Sequence, residues 1–262
     1  YHLLGGKCRD RVPVYAPALY PEDPAIVARR ARGFADQGFH GVKIKVGFDL
    51  DQDIEIVRAV RQELGRDFIV MTDANQGYTV DVALRAADAF VASGVFWLEE
   101  PLFAEDIAGH ARLRETTGVP IAVGENLHMC SAFESFVMRE AVDFLQPDVA
   151  RAGGITEIRK IAALAAAHRV PISFHTWGDA VALAASIHLS AAIPECTVME
   201  LDYTYNPLRA ELLREPLEVE SGFMIPPDKP GLGIHLDADA LERFAFSGVE
   251  ELAVRQKALV AR

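Results

Sequence analysis

Short apolar runs alternate with longer amphipathic stretches along most of this chain of 262 residues. Runs that are apolar throughout are typical of strands buried on both faces, as in a parallel sheet covered by helices. The predicted strands are 14–18, 42–46, 68–72, 95–98, 121–123, 142–145, 172–174 and 197–199.

The stretches between these runs carry apolar residues at three- and four-residue spacing, which predicts helices. The clearest are 24–37, 50–64, 80–93, 104–116, 156–168 and 179–192. Eight strands alternating with seven helices favour a closed α/β barrel. An open doubly wound sheet is the alternative.

The pattern changes from about Asn206 onward. Residues 216–236 are rich in proline and glycine, which predicts irregular chain, and 237–246 form a last amphipathic stretch that predicts a helix. We therefore divide the chain into a barrel with a short N-terminal lead-in, 1–212, and a C-terminal segment, 213–262.

Composition narrows the classes of partner. The net charge of −12 argues against a nucleic-acid backbone, which requires a basic face. No apolar run is long enough to span a bilayer, and no signal peptide opens the chain. The three cysteines have no metal-ligand spacing, so we expect a reduced, cytoplasmic protein.

Polar residues recur where the predicted strands end, and most of them are 23 to 28 residues apart, about one strand-helix unit. In a closed barrel such positions form one ring at the carboxyl-terminal mouth, where barrel active sites lie. The ring consists of Lys43, Lys45, Asp73, Asn75, Glu99, Glu125, Asp148, His175 and Glu200.

Three acids of this ring, Asp73, Glu99 and Glu125, would repel one another unless a cation lay between them. Oxygen ligands without cysteine suit Mg²⁺, with Mn²⁺ also possible. The alternative is that each acid pairs with a neighbouring base. Glu100 follows Glu99 directly and is expected to point to the opposite face of its strand.

The bases of the ring have complementary geometry. Lys43 and Lys45 share one face of a strand, and two buried lysines are expected to lower each other's pKa to about 7–8, suitable for a base. His175 ends the seventh predicted strand, and Asp148 would fix its tautomer. A catalytic dyad is favoured over a structural histidine.

Together these motifs resemble the enolase superfamily, and within it the mandelate racemase subgroup, over about 1–236. The matching stretches are Val-Lys-Ile-Lys (42–45), Asp-Ala-Asn-Gln (73–76), Trp-Leu-Glu-Glu-Pro (97–101), Gly-Glu-Asn (124–126), Gln-Pro-Asp (146–148), Phe-His-Thr-Trp-Gly (174–178) and Met-Glu-Leu-Asp (199–202). The resemblance implies a (β/α)₇β modified TIM barrel that binds Mg²⁺ through the three acids.

The resemblance also implies roles for the remaining residues. Lys45 would be the base on one face of the substrate's α-carbon and His175, supported by Asp148, the base on the other. Lys43 would contact the substrate carboxylate and tune Lys45, and Glu200 would hydrogen-bond that carboxylate. Residues expected to contact the ligands or the substrate are Asn75, Glu100, Asn126 and Trp177.

The reaction is narrowed by a missing lysine. Related lactonising enzymes and dipeptide epimerases carry a second lysine after the sixth strand, where this chain reads Gln-Pro-Asp-Val-Ala-Arg. The chain is more similar to acid-sugar dehydratases and to cycloisomerases of sugar-acid lactones. We therefore predict abstraction of a proton α to a carboxylate, followed by dehydration or lactone opening.

Two other functions stay open. A racemase or epimerase of an α-hydroxy acid would use the same two bases, and a non-catalytic metal-binding barrel would use neither. A metal-dependent hydrolase fits the acids but leaves Lys43 and Lys45 without a role.

Members of the superfamily also carry an N-terminal α+β capping domain. The first residues of this chain resemble the end of that domain, so we expect the cap to be absent from this chain and 213–262 to pack against it. The expected partners are a small carboxylate substrate and further copies of the chain, with neither nucleic acid nor membrane.

Overall fold

The structure, a computed structural model, describes residues 1–245. Its strands are β1 (Val12–Leu19), β2 (Gly41–Lys45), β3 (Ile69–Asp73), β4 (Leu98–Glu99), β5 (Ile121–Val123), β6 (Phe144–Leu145), β7 (Met199–Glu200), β8 (Val219–Glu220) and β9 (Phe223–Met224). Its α-helices are α1 (Pro24–Asp36), α2 (Leu50–Leu64), α3 (Val80–Ala92), α4 (Ile107–Thr116), α5 (Met129–Met138), α6 (Gly154–His168), α7 (Ala180–Ala192), α8 (Pro207–Ala210) and α9 (Ala238–Arg243). A short 3₁₀-helix, His2–Leu4, precedes them.

Parallel pairing closes the sheet into a barrel. Strands β1 to β6 pair in chain order, and segment 172–175 lies between β6 and β7 through bridges of Ile172 to Leu145 and to Cys196. Strand β7 then pairs with β1. Within residues 1–245 the barrel has eight parallel segments, which are β1 to β7 and 172–175 and are called staves below, joined by seven helices. The predicted (β/α)₇β barrel is therefore confirmed, and the alternative of an open sheet is wrong.

The seventh predicted strand, 172–174, differs most from the structure. It is represented only by isolated bridges at Ile172 and His175, although its backbone forms hydrogen bonds with both neighbours, for example from Ser173 N to Leu145 O and from Glu200 N to Phe174 O. Strands β4, β6 and β7 are likewise shorter than, or shifted from, their predicted ranges. Helix α5 lies between the fifth and sixth strands, where the sequence pattern did not indicate a particular range for a helix.

Side-chain alternation along the strands builds the barrel interior. The buried lumen cluster contains Tyr15, Met71, Trp97, Ala122 and Val198. Met71 is two residues before Asp73 and Trp97 is two before Glu99, so each acid shares the inward face of its strand. Large side chains thus fill the lumen and leave the acids above them at the mouth.

The segment after residue 212 packs on the barrel. Strand β9 runs antiparallel to the start of β1, pairing Met224 with Val12, and Met224 is fully buried. The predicted helix 237–246 is present as α9, with Phe246 outside the described residues. The division at 212/213, and the packing of 213–262 against a capping domain, stay predictions. No helix in residues 1–245 has the length and apolarity needed to cross a bilayer.

Candidate active site

The predicted ring is one connected network at the carboxyl-terminal mouth of the barrel. Lys43 links β2 to β4 and β7 through Glu99 and Glu200, and His175 links Asp148 to Glu125. Neighbouring staves place these residues in register, for example Lys45 opposite Asp73. Residues up to 157 positions apart in the chain therefore meet in one site.

The acids Asp73, Glu99 and Glu125 form a buried carboxylate cluster. One oxygen from each lies within 4.8 Å of the others, and the three residues are at most 6% exposed. Parallel pairing of Asp73 with Glu99 aligns two of them on adjacent strands. All three donors are hard oxygen atoms, which suit a divalent cation such as Mg²⁺ or Mn²⁺.

The charge balance of the mouth also fits a divalent cation. Lys43, Lys45, His175 and Arg151 face six buried acids, so negative charge would be in excess with all six acids ionised, even with the histidine protonated. Such an excess is unfavourable in a low-dielectric site unless a bound cation compensates it. The buried acids are Asp73, Glu99, Glu100, Glu125, Asp148 and Glu200.

Lys43 lies at the centre of the acids and is 1% exposed. Its Nζ is 2.7 Å from Glu99 Oε1 and 2.7 Å from Glu200 Oε2, and 3.3 Å from Asp73 Oδ2. Lys45 Nζ is nearer the opening and lies 2.6 Å from the same Asp73 oxygen. Both lysines share the inward face of β2, as the Lys-Ile-Lys pattern predicted.

The expected lowering of the lysine pKa values is wrong for this arrangement. Burial alone would lower the pKa of Lys43, but attraction by Glu200 and Glu99 outweighs it and raises that pKa well above its usual value. Burial also opposes the charge of Lys45, and Asp73 more than compensates, so its pKa is raised as well. The prediction considered repulsion between the lysines and omitted the carboxylates beside each one.

Two of the acids hold protons unusually strongly. Burial and the nearby Asp73 charge raise the pKa of Glu99 to about 8. Burial and Glu125 raise the pKa of Glu100 to about 7. A cation that binds the carboxylate cluster would therefore displace a proton near neutral pH.

His175 is bracketed by carboxylates. Its Nδ1 lies 2.7 Å from Asp148 Oδ2, and its Nε2 lies 3.1 Å from Glu125 Oε2 and 3.8 Å from Glu200 Oε1. Burial opposes its protonation, but Glu200 and the bonds to Asp148 and Glu125 raise its pKa well above the usual value. The Asp148 contact matches the predicted dyad and orients Nε2 toward the carboxylate cluster.

The amides predicted beside the acids hold the carboxylates in place. Asn75 Nδ2 donates to Glu125 Oε1 at 2.7 Å. Asn126 Nδ2 donates to Glu100 Oε2 at 2.6 Å and more weakly to Glu125 at 3.2 Å. Glu100 therefore accepts hydrogen bonds from Asn126, and both amides brace Glu125.

Three uncharged lumen residues that the sequence pattern did not single out also hold site acids. Trp97 Nε1 and Gln146 Nε2 both donate to Glu99 Oε2, at 3.2 and 2.7 Å. Tyr15 donates its hydroxyl to Glu200 Oε2 at 2.9 Å. Trp97 could have been found from its position two residues before Glu99 on the same strand face.

A cavity of about 380 Å³ opens above the network. Lys45, His175 and Glu125 line it together with Tyr20 and Trp177. Lys45 Nζ lies 5.8 Å from the centre of the Trp177 ring. The cavity therefore gives a small molecule access to both bases beside the carboxylate cluster.

Comparisons with known proteins agree with this geometry. Residues 26–240 match the enolase C-terminal domain-like family. A D-galactarolactone cycloisomerase from Agrobacterium fabrum is 41% identical over 254 residues, covering 92% of this chain and 67% of that protein. A 3,6-anhydro-alpha-L-galactonate cycloisomerase from Streptomyces coelicolor is 38% identical over 89% of this chain and 63% of its own length. The chain thus spans about two thirds of these relatives.

Among solved structures, a racemase from Streptomyces coelicolor A3(2) with bound magnesium superposes with a TM-score of 0.84. The two sequences are 36% identical, and the aligned region covers 94% of this chain and 66% of the racemase. The likeness extends to a structure that holds a divalent metal, and the carboxylate cluster here is suited to one.

Proposed function

The chain belongs to the enolase C-terminal domain-like family, and on that premise we propose that it is a Mg²⁺-dependent lyase or isomerase. It removes the proton next to the carboxylate of a small sugar acid, and then eliminates the β-oxygen by dehydration or lactone opening. Mn²⁺ would be able to replace Mg²⁺ at the same site. The names of the two cycloisomerases support this choice of substrate class.

The observation that carries the proposal is a pair of bases on different sides of the carboxylate cluster. Lys45 approaches it through Asp73 at 2.6 Å, and His175 approaches it through Glu125 at 3.1 Å. Two bases facing one cavity are not needed for metal binding alone. They are what proton abstraction and proton return at one carbon require.

Charge stabilisation is the main difficulty of this reaction, because removing a proton α to a carboxylate produces a doubly negative enediolate. Asp73, Glu99 and Glu125 would hold Mg²⁺, which supplies positive charge to the substrate carboxylate. Lys43 adds a fixed ammonium beside Glu200 at 2.7 Å, and Glu200 would hydrogen-bond the substrate carboxylate. Such preorganised charges favour the enediolate where its charge develops.

The two bases then divide the proton transfers. Lys45 in its neutral form removes the α-proton from one face of the substrate. Asp73 raises the pKa of Lys45 when no cation is bound, and a divalent cation held by Asp73 would offset that attraction and favour the neutral amine. Asp148 holds Nδ1 of His175 at 2.7 Å, so that Nε2 is the nitrogen that faces the cavity. His175 delivers a proton to the departing β-oxygen, which completes the elimination.

A second function is favoured by the same pair of bases. If the substrate has no leaving group at the β-carbon, Lys45 keeps the proton that it removed and protonated His175 delivers its own proton to the opposite face, which inverts the α-carbon. The related structure described as a racemase supports this alternative. Product analysis distinguishes the two, because elimination forms a keto acid or an unsaturated product and inversion does not.

Solvent exchange tests the proposal. We expect the protein with MgCl₂ in D₂O to incorporate deuterium with at least one acid in a panel of aldonates, aldarates, their lactones and mandelate. The label would appear at the α-carbon of recovered acid or at the former β-carbon of a keto-acid product. Removing the metal with EDTA should abolish the exchange. Exposed Lys7→Ala and His235→Asn variants serve as controls that retain it. Failure to exchange any α-proton under these conditions would overturn the proposal.

A further inference from the structure

Arg151 is the third basic residue of the cavity, beside Lys45 and His175. It lies in the turn that follows β6, three residues after the Asp148 that holds His175. The proposed proton transfers use Lys45 and His175 and leave Arg151 without a role.

Hydrogen bonds fix both the backbone and the side chain of Arg151. Its backbone N–H donates to Asp148 O at 3.1 Å, and its carbonyl lies 2.9 Å from Nδ1 of His128. Its NH2 donates to Asn126 Oδ1 at 2.7 Å, and Asn126 is itself held by Glu100. The guanidinium is therefore positioned before any ligand arrives, which lowers the entropic cost of binding.

Most N–H donors of this exposed guanidinium have no partner among the described residues. Arginine carries five N–H donors, and the bond to Asn126 is its only side-chain hydrogen bond among the described residues. No carboxylate of residues 1–245 forms an ion pair with it, whereas Lys45 and His175 both contact acids. A planar guanidinium with free donors suits two-point recognition of a carboxylate.

Charge at the mouth makes such recognition useful. The cavity is also lined by Glu125 and Asp148. Their negative charges would repel a second carboxylate of the substrate, in addition to the carboxylate that is held at the proposed metal. A substrate with a second carboxylate therefore requires a compensating cation away from the carboxylate cluster. Arg151 is placed to supply it.

From these contacts we propose that Arg151 binds a second, distal carboxylate, and that the substrate is an open-chain dicarboxylic sugar acid. This inference rests on the proposed function above and specifies its substrate class. A monocarboxylic sugar acid would present a neutral hydroxymethyl group at the same point and would leave the guanidinium without a charged partner.

Matched acids that differ only at the distal carbon test this inference. The pairs are galactarate with galactonate and glucarate with gluconate, each measured as the open-chain acid with MgCl₂. Calorimetry gives the dissociation constants and α-proton exchange gives kcat/KM. The quantity compared is the preference for the dicarboxylate over the monocarboxylate in the best-bound pair.

We expect the wild-type protein to prefer the dicarboxylate, and Arg151→Gln to lower that preference roughly ten- to hundredfold, as expected for loss of a charge-assisted hydrogen bond. Arg151→Lys should retain part of the preference, because it keeps the charge but not the planar fork. The exposed Arg112→Gln removes a charge elsewhere and should leave the preference at the wild-type value.

Two results would overturn the inference while leaving the proposed function intact. One is a wild-type protein that exchanges monocarboxylates at least as well as dicarboxylates. The other is an Arg151→Gln variant that loses activity on both acids by the same factor, which would show a purely structural role. A wild-type protein that exchanges no acid at all would instead contradict both proposals.

Discussion

Gly124 shows how a single backbone position holds a metal ligand. It lies between β5 and Glu125 with φ of +154°, and a Cβ there would be 2.5 Å from the backbone carbon of Gln146. Only a residue without a side chain can approach the β6 stave this closely. Its size therefore sets the position of the adjacent Glu125.

Gly124→Ala should accordingly displace Glu125 and raise the dissociation constant for Mg²⁺ by at least about tenfold, the range found when ligand orientation is disturbed. Calorimetric titration with MgCl₂ measures this directly. Gly33→Ala, in α1 with open space around it, is the matched control and should bind Mg²⁺ normally. Equal affinity in both variants would contradict this role for Gly124.

Gln146 holds Glu99 from below, together with Trp97. Gln146→Met keeps most of the side-chain volume and removes the amide donor, so Glu99 Oε2 keeps only the longer indole bond. We expect Mg²⁺ affinity to fall about ten- to hundredfold with the fold retained. Circular dichroism checks the fold, and unchanged affinity would show that Trp97 alone orients Glu99.

At the scale of single residues, charged side chains could be predicted and uncharged ones could not. Acids and lysines at strand ends are rare enough to signal a site, whereas Tyr15 and Trp97 resemble ordinary core residues in apolar strands. Lysine pKa values were predicted in the wrong direction. They depend on which carboxylates lie within about 3 Å of each Nζ, for example Asp73 at 2.6 Å from Lys45, and sequence spacing does not give such distances.

Helix α4 carries a buried histidine that links its stability to pH. His110 is fully buried, its Nδ1 lies 2.8 Å from the carbonyl of Asp106, and burial lowers its pKa below the usual 6.5. The folded protein therefore binds this proton less readily than the unfolded chain. The resulting stability is full above about pH 6.5 and is lost as the pH falls through the lowered pKa.

His110→Gln removes this titration, so its melting temperature should fall less than that of the wild type between pH 8 and pH 5. Thermal unfolding across this range measures the difference. His235→Gln, at an exposed position, should follow the wild-type curve. Parallel curves for His110→Gln and the wild type would show that His110 does not titrate on unfolding.

At the scale of elements, the alternation of strands and helices could be predicted because each has a distinct hydrophobic period. Seven barrel helices lie within residues 1–245, as predicted. The first and last residues of the strands were less predictable. An apolar run indicates which residues are buried, but it does not show which of them form hydrogen bonds with a neighbouring strand. Segment 172–175 illustrates this: it is buried as expected, yet pairs only through isolated bridges.

The whole molecule couples metal binding to protonation. Because burial and Asp73 raise the pKa of Glu99 to about 8, the folded state binds more protons than the unfolded state between about pH 4.5 and pH 8. Without a bound cation, stability should therefore decrease as the pH rises through this window. A cation at the carboxylate cluster replaces the proton and removes this penalty.

We therefore expect the rise in melting temperature caused by MgCl₂ to be larger at pH 8 than at pH 6. Differential scanning calorimetry at fixed ionic strength measures it, with NaCl as the control salt. Asp73→Asn should reduce the effect, because one ligand charge is lost. A Mg²⁺ effect that is independent of pH would contradict this coupling.

Proton abstraction by two bases is the central claim, and stereospecific exchange tests it most directly. The measurement is α-deuterium incorporation in D₂O with MgCl₂ for one turned-over acid and its α-epimer, which present the α-proton to opposite faces. We predict that Lys45→Ala loses exchange from one face and His175→Ala loses exchange from the other, while both variants bind Mg²⁺. Wild-type exchange in both variants would contradict the assignment of Lys45 and His175 as the bases.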